Sequence, residues 1–334
     1  MTTLNSKLRR EKSINSSGTI LNESKIPTLK HNYYFVVPIL LDGDAPKQFI
    51  KVYEYGLAKR GNRASWIPYI AKTAEKWYPH ESIIEYLINR IGIELGLMMN
   101  QVKLIRINGQ IRFLSRYFLQ RDEILIHGAE VFGDYLANHM VAKAIADDRK
   151  VAKQLFNFKF TEDAIRHQYP AFADDLLNEL VKMLIFDAIV GNNDRHFYNW
   201  GLITSKIRDN KPPRIAPIYD SARGLYWNTS DARIRNIWQN HNENGRKVVN
   251  YISKASPRLC PENNDKANHF DLIEFLSEKN EEYRKLIWEF ASVEKERRVV
   301  EMIQKEFKHF FLPERNALIN FVLATRFKTI RESI

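Results

Sequence analysis

The chain has 334 residues, 44% of them hydrophobic, which is enough to bury a large core and points to two lobes of one fold rather than two independent domains. Its one cysteine, Cys260, excludes a disulfide framework and every cysteine-based zinc site, and fits a reducing compartment. The formal net charge of +11 admits a nucleic-acid partner, an acidic substrate or a merely solvated surface, while the lack of any long apolar run or N-terminal h-region predicts neither a membrane span nor a signal peptide.

Residues 1–30 are polar, basic and rich in Ser, Asn and Thr, a composition that predicts a mobile arm or a nucleotide-dependent loop. Ser16-Ser17-Gly18-Thr19 holds the only glycine there that suits a phosphate loop. No Gly-x-Gly-x-x-Gly and no Gly-x-x-x-x-Gly-Lys-Ser/Thr occurs, so dinucleotide-binding and Walker-type readings both fail. Phosphorylation at Ser13, Ser16 or Ser17 would add negative charge beside that glycine, and autophosphorylation there is expected to act as an off-switch.

Residues 31–119 form the predicted N-lobe. Residues 33–41 and 48–53 are expected strands turned by Asp42, Gly43, Asp44 and Pro46, and residues 57–80 a loop with a short helix. Ile84, Leu87, Ile88, Ile91 and Leu95 recur at helical spacing, with Gly96 near the end. Lys51 on the second strand and Glu85 on this helix suit a pair in which the lysine meets nucleotide phosphates and the glutamate steadies it. Strands over 102–106 and 111–118 are joined at Asn108-Gly109, a hairpin signal. Backbone at 115–119, including Ser115 and Tyr117, is expected to meet the adenine edge where the lobes join.

Residues 120–334 are the predicted C-lobe. A helix carrying Leu176, Leu177, Leu180, Val181, Leu184, Ile185, Ala188 and Ile189 ends at Gly191. Asn192-Asn193-Asp194-Arg195-His196-Phe197-Tyr198-Asn199 follows. Strands are then predicted over 200–204 and 214–219, parted by turn-prone residues 209–213, and lead to Asp220. An Asp, an Asn five residues later and a further Asp across a hairpin suit phosphoryl transfer. The first carboxylate faces an attacking hydroxyl, and the other two oxygens hold Mg²⁺ against nucleotide phosphates.

Between residues 221 and 260, Arg223, Arg233, Arg235, Arg246, Lys247, Lys254 and Arg258 outweigh Asp231 and Glu243. That basic wall is expected to favour an acidic or RNA-associated protein, with Arg233 and Arg235 taken to carry the preference. After Lys266 the chain reads as helical through 270–276, 283–307 and 313–327. Trp288, Phe290, Phe307, Phe310, Phe311 and Phe321 read as core, and His241, His269 and His309 show no metal spacing.

The stretch from Ile189 through Asp194, Arg195, His196 and Asn199 to Leu202, together with Ile215-Ala216-Pro217-Ile218-Tyr219-Asp220, resembles the catalytic core of the HipA-like serine/threonine kinases. Within that group it is most similar to the compact, cell-translocating kinase A type, and Ile84-Glu85-Tyr86, Asn264-Asp265-Lys266 and Glu306-Phe307 extend the likeness over most of the chain after Tyr33. The resemblance implies an α+β, bilobal protein-kinase-like fold with a small N-lobe sheet and a mainly helical C-lobe. It implies ATP and Mg²⁺ as cofactors, with Asp194 as catalytic Asp, Asn199 and Asp220 as metal ligands, and Lys51 at the nucleotide. His196 is expected to support the loop by hydrogen bonding. The expected role is a growth-arresting toxin, with an antitoxin partner, or a secreted effector, in a bacterial cytoplasm or exported without a signal peptide. Tyr219-Asp220-Ser221 stands where eukaryotic kinases carry DFG, which argues against that branch.

A phosphoinositide-type lipid kinase shares the Asp-Arg-His-x-x-Asn string, though no amphipathic membrane helix accompanies it here. A non-catalytic, nucleic-acid-binding pseudokinase would use the net charge and predicts salt-sensitive binding without turnover. An aminoglycoside-type phosphotransferase would place His before Asp, the reverse of the order here.

Overall fold

In the computed structural model the described residues are 8–39, 41, 46–207, 211–240 and 245–334. The expected turn at Asp42-Gly43-Asp44, the start of the 209–213 turn, and His241 and Glu243 lie outside them. The N-lobe is a five-stranded antiparallel sheet in the order β2-β3-β4-β7-β6, built from β2 (Tyr34–Val36), β3 (Lys47–Val52), β4 (Ile67–Lys72), β6 (Val102–Ile107) and β7 (Gln110–Arg116). A two-stranded parallel piece, β1 (Asn15–Ser16) on β5 (Trp77–Tyr78), leads into α1 (His80–Leu95), which packs across β6 and β7. Pairing alternates the side chains between faces. Ile50, Val52, Tyr69, Ala71 and Leu114 bury one face with Leu8. Phe49, Ile70, Lys72, Phe113 and Ser115 belong to the other.

β4 is the main departure from the predicted elements, since it lies where residues 57–80 were expected to form a loop. Pro68 inside the run and the polar flanks mask a strand that nonetheless alternates Tyr69 and Ala71 inward against Ile70 and Lys72. Residues 8–30 also differ from the mobile arm expected of them. Glu11 N donates to Gln110 Oε1 at 3.1 Å, and Arg112 donates to the Arg9 carbonyl. Ser17 is buried, with its hydroxyl accepting from His80 N at 3.0 Å, and Thr19 N donates to Asp231 Oδ2 at 3.2 Å. Gly18 has φ 134° and lies so close to the Asp231 side chain that a Cβ would have no room. The glycine expected to cradle phosphate therefore serves the contact between this segment and the C-lobe. Satisfied backbone groups and three apolar anchors, Leu8, Ile20 and Ile26, hold a stretch whose composition alone suggests disorder.

The C-lobe opens with β8 (Glu123–His127), which pairs with β9 (Gly201–Ser205), itself paired with β10 (Arg214–Ile215). Around this small sheet lie α2 (Gly128–Tyr135), α3 (His139–Asp147), α4 (Arg149–Leu155), α5 (Phe158–Gln168), α6 (Ala173–Val190), α7 (Asp231–Gln239), α8 (Arg246–Lys254), α9 (His269–Lys279), α10 (Glu281–Phe290), α11 (Val293–Glu306) and α12 (Pro313–Glu332). The helix expected over 283–307 is two helices, because Ser292 caps the second by accepting from Lys295 N. α6 is buried along almost its whole length, which makes it the rigid post on which the following loop stands. The expected strand at 214–219 splits: Ile215 pairs with β9, then past Pro217 the chain changes partner and Ile218 bridges Met99 of the N-lobe. Two ion pairs, Arg90 to Glu306 at 2.9 Å and Arg298 to Glu94 at 3.4 Å, also join α1 to α11.

Candidate functional site

The loop after α6 is fixed from its first residue. Gly191 ends the helix in the left-handed region at φ 67°, with its N–H on the Asp187 carbonyl. Buried Arg326 from α12 donates to the Ala188 carbonyl, and its own burial lowers its pKa to about 10. Asn192 is buried and donates from Nδ2 to Asp187 Oδ1 at 2.9 Å, while its carbonyl meets His269 Nε2 at 3.0 Å. Burial holds the His269 imidazole well below its usual range, so it is neutral and donates that proton.

Arg195 is the tie between this loop and the second acidic residue. Its guanidinium donates to both oxygens of Asp187 at 2.9 Å, to the Asn199 carbonyl at 2.9 Å, to the Tyr219 carbonyl at 2.6 Å and to Ser221 Oγ at 2.6 Å. A buried arginine is tolerable only when its charge and donors are answered in this way. The network fixes where Asp220 stands relative to Asp194. Asp220 itself is left-handed, at φ 52°.

Asp194 accepts from Arg258 Nη2 at Oδ1, 2.9 Å away, and forms an ion pair with Arg223, whose Nε is 2.9 Å from Oδ2. Asn199 Nδ2 donates to the Asp194 carbonyl at 2.8 Å, which commits its nitrogen and leaves the amide oxygen for a cation. His196 Nδ1 accepts from Tyr198 N at 3.3 Å, and burial lowers the imidazole's pKa, so His196 is a neutral brace for the loop's turn.

On the N-lobe side the structure gives a different lysine from the one expected. Lys51 is half-buried and donates to the Ala64 carbonyl at 3.3 Å, opposite Pro68 in the sheet. Lys72 lies four residues further along that strand, about 13 Å at the usual rise. Its Nζ is 3.0 Å from Glu85 Oε1 and also contacts Asp220 Oδ1. Glu85 thus has the expected kind of partner, but the partner is Lys72, and the expected Lys51–Glu85 pair does not form.

Ser115 and Tyr117, expected at the adenine edge, are engaged by the N-lobe sheet itself. Ser115 lies within β7 with β4 on one side and β6 on the other, its hydroxyl accepts from Asn100 Nδ2 at 2.8 Å, and Tyr117 N donates to the Pro68 carbonyl at 3.0 Å. Ser115 is therefore occupied by the sheet, and the backbone that crosses between the lobes begins beyond Tyr117. The Tyr117 ring packs edge-on against Phe49, 5.6 Å between centroids. A small cleft behind these groups is lined by Glu85, Asn89, Phe113, Ser115, Tyr219 and Asp220, among others.

A nucleotide with Mg²⁺ fits the donor chemistry. Lys72 supplies a cation, and the Asn199 amide and Asp220 carboxylate supply hard oxygens. Among the described residues no three His, Cys, Asp or Glu side chains converge as a metal site, so a cation here would rest on this pair and on phosphate oxygens. Arg233 and Arg235 lie on α7, and Arg235 pairs with Glu314 at 3.1 Å. The arginines that reach Asp194 are Arg223 and Arg258.

The family model of the HipA-like C-terminal domain matches residues 39–296, more than three quarters of the chain. The serine/threonine-protein kinase CtkA of Helicobacter pylori is 29% identical over 154 residues, which span 43% of this chain and 45% of that kinase. The chain thus matches less than half the length of this curated relative. The crystal structure of the proinflammatory kinase CtkA of Helicobacter pylori superposes with a TM-score of 0.65 at 18% identity, covering 85% of this chain and 92% of that one. The HipA–HipB toxin–antitoxin complex of Shewanella oneidensis MR-1 with its operator DNA superposes with a TM-score of 0.50 at 13% identity, covering 87% of this chain and 65% of that one.

Proposed function

The chain belongs to the HipA-like C-terminal domain family and has a kinase-like α+β fold, and from that premise we propose that it is an ATP- and Mg²⁺-dependent kinase acting on serine or threonine hydroxyls of a protein. The observation that carries the reading is Lys72, a strand lysine joined at once to Glu85 of α1 and to Asp220 beyond the catalytic loop. One ammonium in contact with a helix glutamate and with the carboxylate of a metal-type pair is the arrangement that brings phosphates and cation together.

In this reading Lys72 binds nucleotide phosphate, and Glu85 keeps its Nζ at the cleft rather than in solvent. Asn199 and Asp220 hold the cation, which when bound offsets phosphate charge. Asp194 orients the acceptor hydroxyl and takes its proton, and Arg195 keeps the two acidic positions in register. Purified protein incubated with γ-labelled ATP, Mg²⁺ and lysate tests this directly. Label in protein supports the proposal, label in lipid or a small molecule redirects it, and no label anywhere, with salt-sensitive nucleic-acid binding, favours the pseudokinase.

The likeness to the toxin of the HipA–HipB toxin–antitoxin complex supports extending the proposal to a growth-arresting role with an antitoxin partner. Induced expression should then slow growth, and the Asp194→Asn variant should not. No helix among the described residues is long and apolar enough to cross a membrane.

A further inference from the structure

Both oxygens of Asp194 are taken, one by Arg258 and one by Arg223. A carboxylate held between two guanidinium groups in this way is screened from other partners, so a substrate hydroxyl has to displace or share one of those contacts before Asp194 can orient it. The clamp is built into the loop rather than formed by stray surface side chains. Asn193 N donates to the Arg223 carbonyl at 3.2 Å, its own carbonyl accepts from Arg258 Nε at 3.2 Å, and its Oδ1 accepts from Ser256 N at 2.9 Å. Gly224 presses against the Val190 carbonyl where a Cβ would find no room, which sets the path of the chain beside Arg223.

Charge around this point is unbalanced. Lys153 of α4 donates to Ser256 Oγ at 3.1 Å, and Arg149 at the start of the same helix is near enough to help lower the pKa of Arg258, after burial. Burial and these two arginines also lower Lys153. Arg149 and Lys153 thus stand close to Arg258, which with Arg223 meets Asp194, and Asp265 lies beside Lys153. Like charges held together in a half-buried wall raise the local concentration of anions. The Arg223 guanidinium also lies over the Trp227 ring at 5.4 Å, a face that can support it when its partner changes.

We propose that Arg223 and Arg258 form an anion-recognition subsite that takes a carboxylate or phosphate borne by the substrate polypeptide beside its acceptor hydroxyl, and that this anion frees Asp194. The inference rests on the kinase reading of the same site. In the free protein Asp194 occupies the arginines and is masked. An acidic or phosphorylated residue next to the acceptor draws a guanidinium away and opens the carboxylate to the hydroxyl, so substrate choice and unmasking become one event. The nucleotide has its own cation in Lys72, whereas Arg258 stands near Arg149 of α4, within the C-lobe.

The test uses the full chain and three peptides alike except beside one serine, which is flanked by glutamate, phosphoserine or glutamine. With Mg·ATP, kcat/KM should favour the glutamate and phosphoserine peptides over the glutamine peptide by about tenfold, the worth of one well-placed charge-assisted bond. Arg223→Gln should bring that ratio close to one, and Arg223→Lys should restore part of it. Equal loss on all three peptides would mean that the arginines serve the transferred phosphoryl group, which overturns the proposal. A binding arm keeps the two readings apart: peptides with alanine in place of the acceptor serine are titrated calorimetrically without ATP. An anion-flanked peptide that binds no better than the glutamine peptide ends the proposal, whatever the enzyme does. Anion-selective binding lost in Arg223→Gln, with no phosphate transfer to any serine peptide, upholds the subsite and rejects the kinase.

Discussion

Exchanging lysines for methionine at positions 72 and 51 separates the observed from the expected nucleotide lysine. Lys72→Met keeps most of the length of the side chain and removes the charge that contacts Glu85 and Asp220. A unit charge about 4 Å from another, at an effective dielectric constant of about 20, is worth about 4 kcal/mol. Lys72 is 15% exposed, so screening reduces that figure to about half. A loss of about 2 kcal/mol in the transition state is about a 30-fold fall in phosphotransfer at 25 °C. Glu85, 9% exposed, also loses its cation, at a stability cost of about 1–3 kcal/mol that should lower the Tm by a few degrees. Lys51→Met removes one bond to a carbonyl and should change turnover less than about twofold. Initial rates with γ-labelled ATP, measured below the variants' melting temperatures, decide the matter. Equal damage from the two substitutions, or a Lys72→Met enzyme within about threefold of the parent, would refute the assignment.

The contrast between these lysines shows which part of the site could be read from sequence. Asp194, Asn199 and Asp220 are legible because one helix, one loop and one hairpin hold them, and local chemistry determines all three: the apolar face of α6, the left-handed Gly191 and the hairpin formed by β9 and β10. The lysine belongs to a different kind of problem. Its identity depends on which strand lies in the middle of the sheet and how far along it the cleft begins. Those facts follow from pairings across long sequence separations, such as Lys72 with Phe113. Pro68 hides the strand, and once β4 is missing, Lys51 on the neighbouring strand is the only candidate left.

The same reasoning covers the adenine edge and the arm. Ser115 sits at a strand end in sequence but between two strands in space. Ser16-Ser17-Gly18-Thr19 has the composition of a loop, yet the Ser17 backbone bonds Tyr78 and Asp231 and its hydroxyl bonds Trp77 and His80. Polar composition predicts disorder only where no such partners wait. Arg223 and Arg258 were visible as charge in the 221–260 segment, but reading them apart from Arg233 and Arg235 requires knowing that Asn193 gathers the first two and that α7 carries the others toward α12.

Three further outcomes follow from the site and its supports. Asp194→Asn should lower phosphotransfer at least about 100-fold while the Tm shifts by no more than a few degrees, because its partners are partly solvated arginines; near-normal activity would reject the assignment. Asp220→Ala should weaken Mg·ATP binding more than Asn199→Ala, since it removes a full charge, and calorimetry giving unaltered affinity for Asp220→Ala would remove it from the metal pair. The last concerns pH and the contact between the N-terminal segment and the C-lobe. His80 is fully buried, and desolvation, followed by Arg315, lowers its pKa to about 4, with Asp231 3.9 Å away pulling the other way. The folded protein therefore refuses a proton that the unfolded chain accepts below about pH 6.5. Stability from this residue is complete above that pH and is lost as pH falls from about 6.5 toward 4, by about 3 kcal/mol in all. Buried His269 titrates in the same direction, so the measurement is a difference: urea melts of the parent and of His80→Gln at pH 7.5 and pH 5. The parent should lose more stability than the variant over that interval, by about 2 kcal/mol. Equal losses would mean that His80 is not held neutral, and that the Ser17 carbonyl and the Asp231 carboxylate support its protonated form.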